Sequence, residues 1–376
     1  MNKAEKKEKE KIKKPVKSYY SLNNILTLSA QYNILLGERA NGKSYAVKKH
    51  CVEDAYNNDK TFILLRRYGV ETKLGIIGSY FDDCPIQEIS KGKCSQINII
   101  RGEIWACNYD EEKNKVIKEK FLGWVRDLSS ESHNKSAVFK NCYNIIFEEF
   151  VSNDLYLNNE PLLLQSFIST VFRRRDGRVW LIGNTISRIC PYFAAWGLLN
   201  IKNQKQGTIE TYTVKTDEID EETGEKINIL IAVEFCEHSN HTSSKMFFGQ
   251  ASKMTTSGAW ETQTYPHLPI DKDLNDYYIN HRIIFHYSEG NFKFEMLFLT
   301  EKKGDGYCWY IRPKTTTIKE GTRVISDLFS SNPLYTNTFK GLNAKEDKIL
   351  KVLKDGKICF SDNLTGSDFY TCYKNF

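Results

Sequence analysis

The sequence contains no apolar stretch near the roughly 18 residues that a membrane-crossing helix needs. It also has no C-x-x-C pair among its ten cysteines. The first absence predicts a chain without a membrane span or secretory leader. The second argues against zinc ribbons and thioredoxin-type sites, and leaves scattered thiols suited to a reducing cytosol. No internal repeat is present, which removes solenoid and propeller architectures. The body of the chain also has little net charge. Of the formal +6, the first 18 residues, with eight Lys and three Glu, carry +5. The basic pI of about 8.6 therefore reflects a Lys-rich tail, residues 1–18, expected to be disordered, ahead of a near-neutral body. Such a body must touch nucleic acid through local patches rather than a global field. The tail reads as a contact for DNA, RNA or an acidic protein surface, and at least as well as a solubilising terminus. What is present is ample core material: 376 residues, 40% hydrophobic and 13% aromatic, suit two domains.

One motif carries chemistry by itself. Gly37-Glu-Arg39-Ala-Asn-Gly42-Lys43-Ser44 is a complete G-x-x-x-x-G-K-[ST] phosphate loop, a string expected by chance in roughly 1 chain in 100 of this length. It follows a strand-like Tyr32–Leu36 and precedes a helix-like segment starting at Tyr45. The glycines let backbone N–H groups point at a phosphate, Lys43 reaches the β/γ-phosphates and the Ser44 hydroxyl suits Mg²⁺.

The surrounding pattern predicts an α/β domain over residues 19–202, with a mainly parallel sheet. Short apolar runs mark strands at 32–36, 61–66, 97–101, 103–108, 120–125, 144–147 and 178–182. Helices are predicted at Gly42–Asn57 and Glu160–Arg173, the latter with Leu162, Leu163, Phe167, Ile168 and Val171 as core. Residues 203–226 are polar and acidic and read as a linker, with a small hairpin at Thr208–Lys215. From 227 to 376 the pattern is β-rich, with strands at 282–287, 292–300 and 307–313 and a helix at 343–353.

Hydrolysis needs carboxylates at another strand tip. Asn144-Ile-Ile-Phe147-Glu148-Glu149 supplies two: Glu148 for the Mg²⁺ shell and Glu149 for the attacking water. The Arg173-Arg174-Arg175 run either complements a helix C-terminus or provides an arginine finger, with Arg173 and Arg175 both candidates. Asn184, at the next strand tip, is placed to sense the γ-phosphate, and Lys135 is a further candidate cation.

These residues together resemble a known family. Gly37 to Ala46, Leu65-Arg66-Arg67-Tyr68, Ile146 to Phe150, Thr170 to Arg173, Gly183-Asn184 and Pro191-Tyr192-Phe193 are similar in order and spacing to the DNA-packaging ATPases of phi29-like phages, small relatives of the large terminases. The resemblance implies an ASCE-type (RecA-like) P-loop ATPase using ATP and Mg²⁺. It implies a homo-oligomeric ring, a pentamer, at the portal vertex of a prohead in the host cytoplasm, translocating double-stranded DNA, with packaging RNA as a further possible partner and no membrane. It implies an RNase H-like C-terminal domain, binding DNA or portal, without nuclease function. Carried over by position, Lys43 and Ser44 are the Walker A pair, Arg39 the loop arginine and Glu149 the catalytic glutamate. Lys135 and Arg173 are then cations acting on a neighbour's nucleotide. Where the family's acidic pair reads Asp-Glu, this chain has Glu148-Glu149, which leaves the division of labour between them open.

Lys73, Lys91, Lys93 and Lys140 sit in loops suited to gripping phosphates. Glu234, Glu295, Asp305 and Asp327 are the carboxylates a two-metal nuclease would draw on, with no spacing that singles them out. Cys236-x-His238-x-x-His241 lacks a fourth ligand, so no metal is expected there. Two readings stand beside the motor: a complete terminase with an active nuclease, and a P-loop module that switches a partner by nucleotide occupancy.

Overall fold

The computed structural model describes residues 20–38, 41–130, 137–152, 156–173, 175–185, 188–198, 200–219, 224, 226–237 and 264–376. The apolar runs form strands β1 (Tyr32–Gly37), β2 (Thr61–Arg66), β3 (Gln96–Ile100), β4 (Glu103–Asp110), β5 (Lys115–Asp127), β6 (Cys142–Glu148), β7 (Arg178–Asn184), β8 (Thr208–Ile219) and β9 (Lys226–Phe235). They make one sheet in the order β3-β4-β5-β2-β6-β7-β1-β9-β8. From β5 to β9 all neighbours run parallel. At the edges β3, β4 and β8 attach antiparallel.

The strands are apolar on both faces because helices cover both. Helices α1 (Asn23–Leu26), α2 (Lys43–Asn58), α3 (Leu74–Ile77) and α4 (Ile86–Ile89) lie before β3; α5 (Glu160–Phe172) and α6 (Pro191–Ala195) follow β6 and β7. Val47, Cys51, Val52 and Ala55 of α2 pack with Leu35, Phe62, Leu64 and Ile146. On the other face Leu164, Phe167, Ile168 and Val171 of α5 pack with Ile34, Ile63 and Ile145. Leu162, expected in that core, is instead 65% exposed. The buried stripe is shifted, running 164, 167, 168, 171 and 172, which is the true i, i+3, i+4 face.

The expected linker is the main correction. β8 and β9 pair antiparallel, and β9 lies parallel against β1. The stretch read as a 203–226 linker with a domain starting at 227 is thus largely part of the first sheet. Its polar composition has a physical cause: β8 is an edge strand, where charged residues are tolerated and protect against edge-to-edge pairing.

Gly123 on β5 is a close-approach position. A Cβ there would collide with the Phe62 carbonyl oxygen of β2, and the two residues are register partners. Gly123→Ala is expected to destabilise the sheet by about 3 kcal/mol or more, read as a lowered Tm or loss of soluble protein. An unchanged Tm would show that β5 does not pack at this register.

The second unit is a mixed sheet ordered β14-β13-β10-β11-β12-β15. Its strands are β10 (Tyr277–Tyr287), β11 (Phe292–Glu301), β12 (Tyr307–Pro313), β13 (Val324–Ser326), β14 (Tyr335–Thr336) and β15 (Ile358–Phe360), with helices α7 (Ala344–Lys354) and α8 (Asn363–Asn375). An antiparallel β10–β11–β12 meander carries parallel additions on both sides, in keeping with the RNase H-like expectation. Its core joins Phe285, Phe294, Trp309, Phe360 and Phe369. The two units meet where Ile189 enters the second core and Cys190 the first, beside an Arg188–Asp368 ion pair of 2.6 Å.

Candidate functional site

Because β1, β6 and β7 are parallel, their carboxyl ends lie along one edge of the sheet, where ligands bind in open α/β folds. In the sheet order β7 separates the loop-bearing β1 from the acid-bearing β6. Residues from all three tips line a cavity of about 300 Å³: Asn41 to Tyr45, Glu148 and Glu149, and Ile182 to Asn184. Gly42 adopts φ 95°, the left-handed conformation that favours glycine, and hands the chain into α2 at Lys43.

Lys43 is buried, 4% exposed. Its Nζ donates to the Glu38 carbonyl at 2.6 Å, the Gly37 carbonyl at 3.3 Å and Asn184 Oδ1 at 2.9 Å. Gly37 and Asn184 are register partners on β1 and β7, so the sheet itself sets this contact. Asn41 Oδ1 accepts from the Lys43 N–H at 3.2 Å. Its Nδ2, in a side chain only 3% exposed, has no hydrogen-bond partner among the described residues. A buried donor left this way at a cavity wall suits an anionic ligand. Ser44 and Tyr45 complete the loop side of the cavity.

On the acidic side Glu148 Oε1 accepts from the Tyr80 hydroxyl at 2.7 Å. Burial, then the Glu148 charge, pushes that hydroxyl well above its ordinary range, keeping it a donor. Glu149 has a left-handed backbone, φ 56°, and its carboxylate accepts from Arg66 Nη2 at 3.2 Å. Arg66 also pairs with Glu71 at 3.5 Å.

Beneath the acidic tip lies a network that local sequence patterns did not reveal. Arg67, 5% exposed, pairs through Nε with fully buried Glu160 at 2.8 Å. It donates to the carbonyls of Glu149 at 3.2 Å and Phe150 at 2.8 Å. Glu160 also accepts from the Tyr192 hydroxyl at 2.9 Å and the Leu157 N–H at 2.8 Å. Burial pulls the Arg67 guanidinium down, but the Glu160 hydrogen bond and charge outweigh it. Arg67, Glu160 and Tyr192 belong to three separate segments, so no local pattern links them.

Arg173 ends α5 at φ 44°, with Nη2 donating to the Ala137 carbonyl at 2.8 Å. Since α5 runs back from the acidic tip, its 13 residues carry Arg173 about 20 Å toward the amino edge of the sheet. Arg175 is committed as a helix cap, donating to the carbonyls of Val171, Phe172 and Phe139. Arg39, Lys135, Arg174, His238 and His241 lie outside the described residues.

The four loop lysines do not form one patch. Lys73 follows β2 at the carboxyl edge, whereas Lys140 precedes β6 and Lys91 and Lys93 precede β3, at the amino edge; all four are exposed. The nuclease candidates are dispersed too. Glu234 is on β9 in the first sheet, Glu295 is neutralised by Arg312 at 2.6 Å and Arg282 at 3.5 Å, and Asp327 accepts from the Ser288 N–H at 2.9 Å. Asp305 lies in the exposed turn before β12. Among the described residues no group of three or more His, Cys, Asp or Glu side chains is arranged to hold a metal ion.

Residues 15–249 match the family described as podovirus DNA encapsidation protein (Gp16). The DNA packaging protein of Bacillus phage B103 is 34% identical over 177 residues, 46% of this chain and 50% of that one. That of Bacillus phage phi29 is 29% identical over 191 residues, 50% and 52% of the two chains. The chain thus spans about half the length of the curated relatives it matches. In solved structures, the bacteriophage phi29 genome packaging motor assembly aligns with a TM-score of 0.53 at 20% identity, over 95% of this chain and 98% of that one, a likeness of fold. The family match covers well over half of the chain, and the chain belongs to the podovirus DNA encapsidation (Gp16) family.

Proposed function

We propose that the chain is the ATP-hydrolysing subunit of a DNA-packaging motor, acting as a homo-oligomeric ring at the portal vertex of a prohead. The observation that carries this reading is the convergence of Lys43, Ser44, Asn184, Glu148 and Glu149 on one cavity. Lys43, now on three oxygens, is positioned to exchange them for phosphate oxygens, and Asn41 Nδ2 and the α2 N-terminus add donors. Ser44 and Glu148 are the residues to hold Mg²⁺, which when bound neutralises charge on the β- and γ-phosphates. Glu149, 61% exposed at its side chain, takes the proton of the attacking water. Asn184 couples the γ-phosphate position to Lys43.

Arg173 lies about 20 Å of helix away from its own loop, so an arginine finger at this position must serve a neighbouring copy. Both arginines hold main-chain carbonyls at the end of α5, Arg173 those of Thr170 and Ala137 and Arg175 those of Val171, Phe172 and Phe139; Arg173 is assigned the finger on the family resemblance, and Lys135 the same trans role. That requirement is the chemical reason for a ring, a pentamer by resemblance. The substrate moved is duplex DNA; the partners are the portal and the prohead, met in the host cytoplasm. Placing the loop lysines on both edges of the sheet suits DNA contact by one edge only, which favours Lys91, Lys93 and Lys140 or Lys73 but not all four. The C-terminal unit, with Glu295 neutralised, serves as a DNA- or portal-binding module.

The test is steady-state phosphate release by the full chain with proheads and linear duplex DNA. ATP turnover rising when both are added supports the motor. Nucleotide binding without stimulated turnover would leave a switch, and Mn²⁺-dependent DNA cleavage would indicate a complete terminase.

A further inference from the structure

Lys48 and Tyr80 join the loop side of the phosphate cavity to its acidic side. Lys48 lies one turn beyond Ser44 on α2, on the same helical face, and is 5% exposed. A buried ammonium needs acceptors, and Lys48 finds them in the turn between α3 and α4. Its Nζ donates to the Tyr80 carbonyl at 2.6 Å, pairs with the Asp83 carboxylate and lies 4.8 Å from the centre of the Tyr80 ring. The same tyrosine donates its hydroxyl to Glu148 Oε1 at 2.7 Å. Its ring meets that of Phe81 edge-on at 4.9 Å. Phe81 is buried and packs against Phe62 of β2 at 6.0 Å, which seats the turn in the core. Tyr80 is therefore gripped at its carbonyl by the helix that carries Ser44, and grips with its hydroxyl the carboxylate at the tip of β6.

We infer that Lys48 and Tyr80 are positioning residues for Mg²⁺, fixing the separation between Ser44 and Glu148, the two side chains assigned to the ion. The inference rests on that assignment. Mg²⁺ demands near-octahedral oxygen donors at about 2.0–2.1 Å, so donors on two different elements must be held to a fraction of an ångström. Groups hydrogen-bonded to the donors do this. Pairing in the sheet sets the backbone of Glu148, but a glutamate side chain has several rotatable bonds and can swing its carboxylate. The Tyr80 hydroxyl removes that freedom at one oxygen and leaves the second for the ion. An aspartate at this position would be shorter by one methylene, about 1.5 Å, and would fall out of hydrogen-bonding range of the hydroxyl. The tyrosine is thus matched to the longer acid. Lys48 acts one step further back, since its hold on the Tyr80 carbonyl and ring keeps the turn from carrying the hydroxyl away.

The test is calorimetric titration of the full chain with a non-hydrolysable ATP analogue, once in saturating Mg²⁺ and once in EDTA. The ratio of the two affinities is the gain due to the metal. Tyr80→Phe, which keeps the ring and loses the hydroxyl, is expected to cut that gain about tenfold or more and leave the affinity in EDTA unchanged. Lys48→Met is expected to cut it by less. The Asp83 side chain it releases is 60% exposed and stays hydrated, so the fold is kept. Glu148→Asp supplies the decisive background: adding Tyr80→Phe to it is expected to change nothing further, because no bond remains to lose. A parental gain in Tyr80→Phe, an equal loss in EDTA, or the same Tyr80→Phe loss in the Glu148→Asp background overturns the inference. Glu148→Gln separates the two levels. If it leaves the gain unchanged, the assignment of Glu148 to Mg²⁺ fails and the inference with it; if it lowers the gain while Tyr80→Phe does not, only the positioning role fails.

Discussion

Glu149→Gln is expected to cut prohead- and DNA-stimulated ATP turnover by about 10²–10⁴-fold while ATP still binds. The amide is the same size but takes no proton, so only the water-activating step is lost. The backbone supports this assignment. Glu149 sits at φ 56°, a conformation that costs a non-glycine residue about 1–3 kcal/mol and concentrates at functional positions. It leaves the carboxylate at the cavity, where it accepts from Arg66 at 3.2 Å. Glu148 differs: it is the last residue of β6, and the Tyr80 hydroxyl fixes one of its oxygens. Glu148→Gln is therefore expected to act through Mg²⁺, raising the concentration needed for half-maximal turnover as well as lowering the rate. Phosphate release and calorimetric ATP titration on both variants decide the matter. Undiminished hydrolysis by both would remove the acidic pair from the chemistry.

The second large effect lies beneath that tip. Arg67→Met leaves Glu160 as a buried charge without its partner, which costs about 3–5 kcal/mol. At roughly 2–4 °C per kcal/mol for a domain of this size, Tm should fall by about 6–20 °C. Glu160 would keep its hydrogen bonds from Tyr192 and Leu157, but neither supplies positive charge. Replacing the pair together, Arg67→Met with Glu160→Leu, should recover part of the loss, because an apolar pair avoids desolvating two ions. Recovery stays partial, since the Glu149 and Phe150 carbonyls still lack the donors that Arg67 provides. Calorimetric melting of the single and double variants forms the cycle that measures the coupling. A single variant within a degree of the parent would show the pair to be inert. Because Arg67 holds the backbone of Glu149, the same variant should also slow turnover at temperatures where it stays folded.

The legible parts of this protein are those whose chemistry is contiguous. Gly37 to Ser44 is a loop between a strand and a helix, and its eight residues contain everything needed to expect phosphate binding. Glu148 and Glu149 follow an apolar run directly, so their place at a strand tip follows from the run. Asn184 required only that β7 be parallel, which apolar runs covered on both faces imply. Residues 203–226 suggest a linker because composition reports solvent exposure, and an edge strand such as β8 is as exposed as a loop. Leu162 was misplaced for a related reason: a run of three leucines fits more than one helical face, and only packing against Ile34, Ile63 and Ile145 selects Leu164.

The sequence by itself determined that a G-x-x-x-x-G-K-S loop follows β1, that two glutamates end an apolar strand and that the sheet is mainly parallel, because each is read from residues close together in the chain. Tertiary structure alone decided that Arg67, Glu160 and Tyr192 form one buried network, and that β9 joins the sheet beside β1. It also decided that Arg173 and Arg175 both hold main-chain carbonyls at the end of α5. It decided that Tyr80 joins Lys48 to Glu148, and that Tyr20, ahead of β1, donates to Glu234 of β9. These depend on residues brought together across as many as 214 positions, as in Tyr20 and Glu234. Such pairings arise from packing and from satisfying buried polar groups, and neither leaves a local signature in the chain.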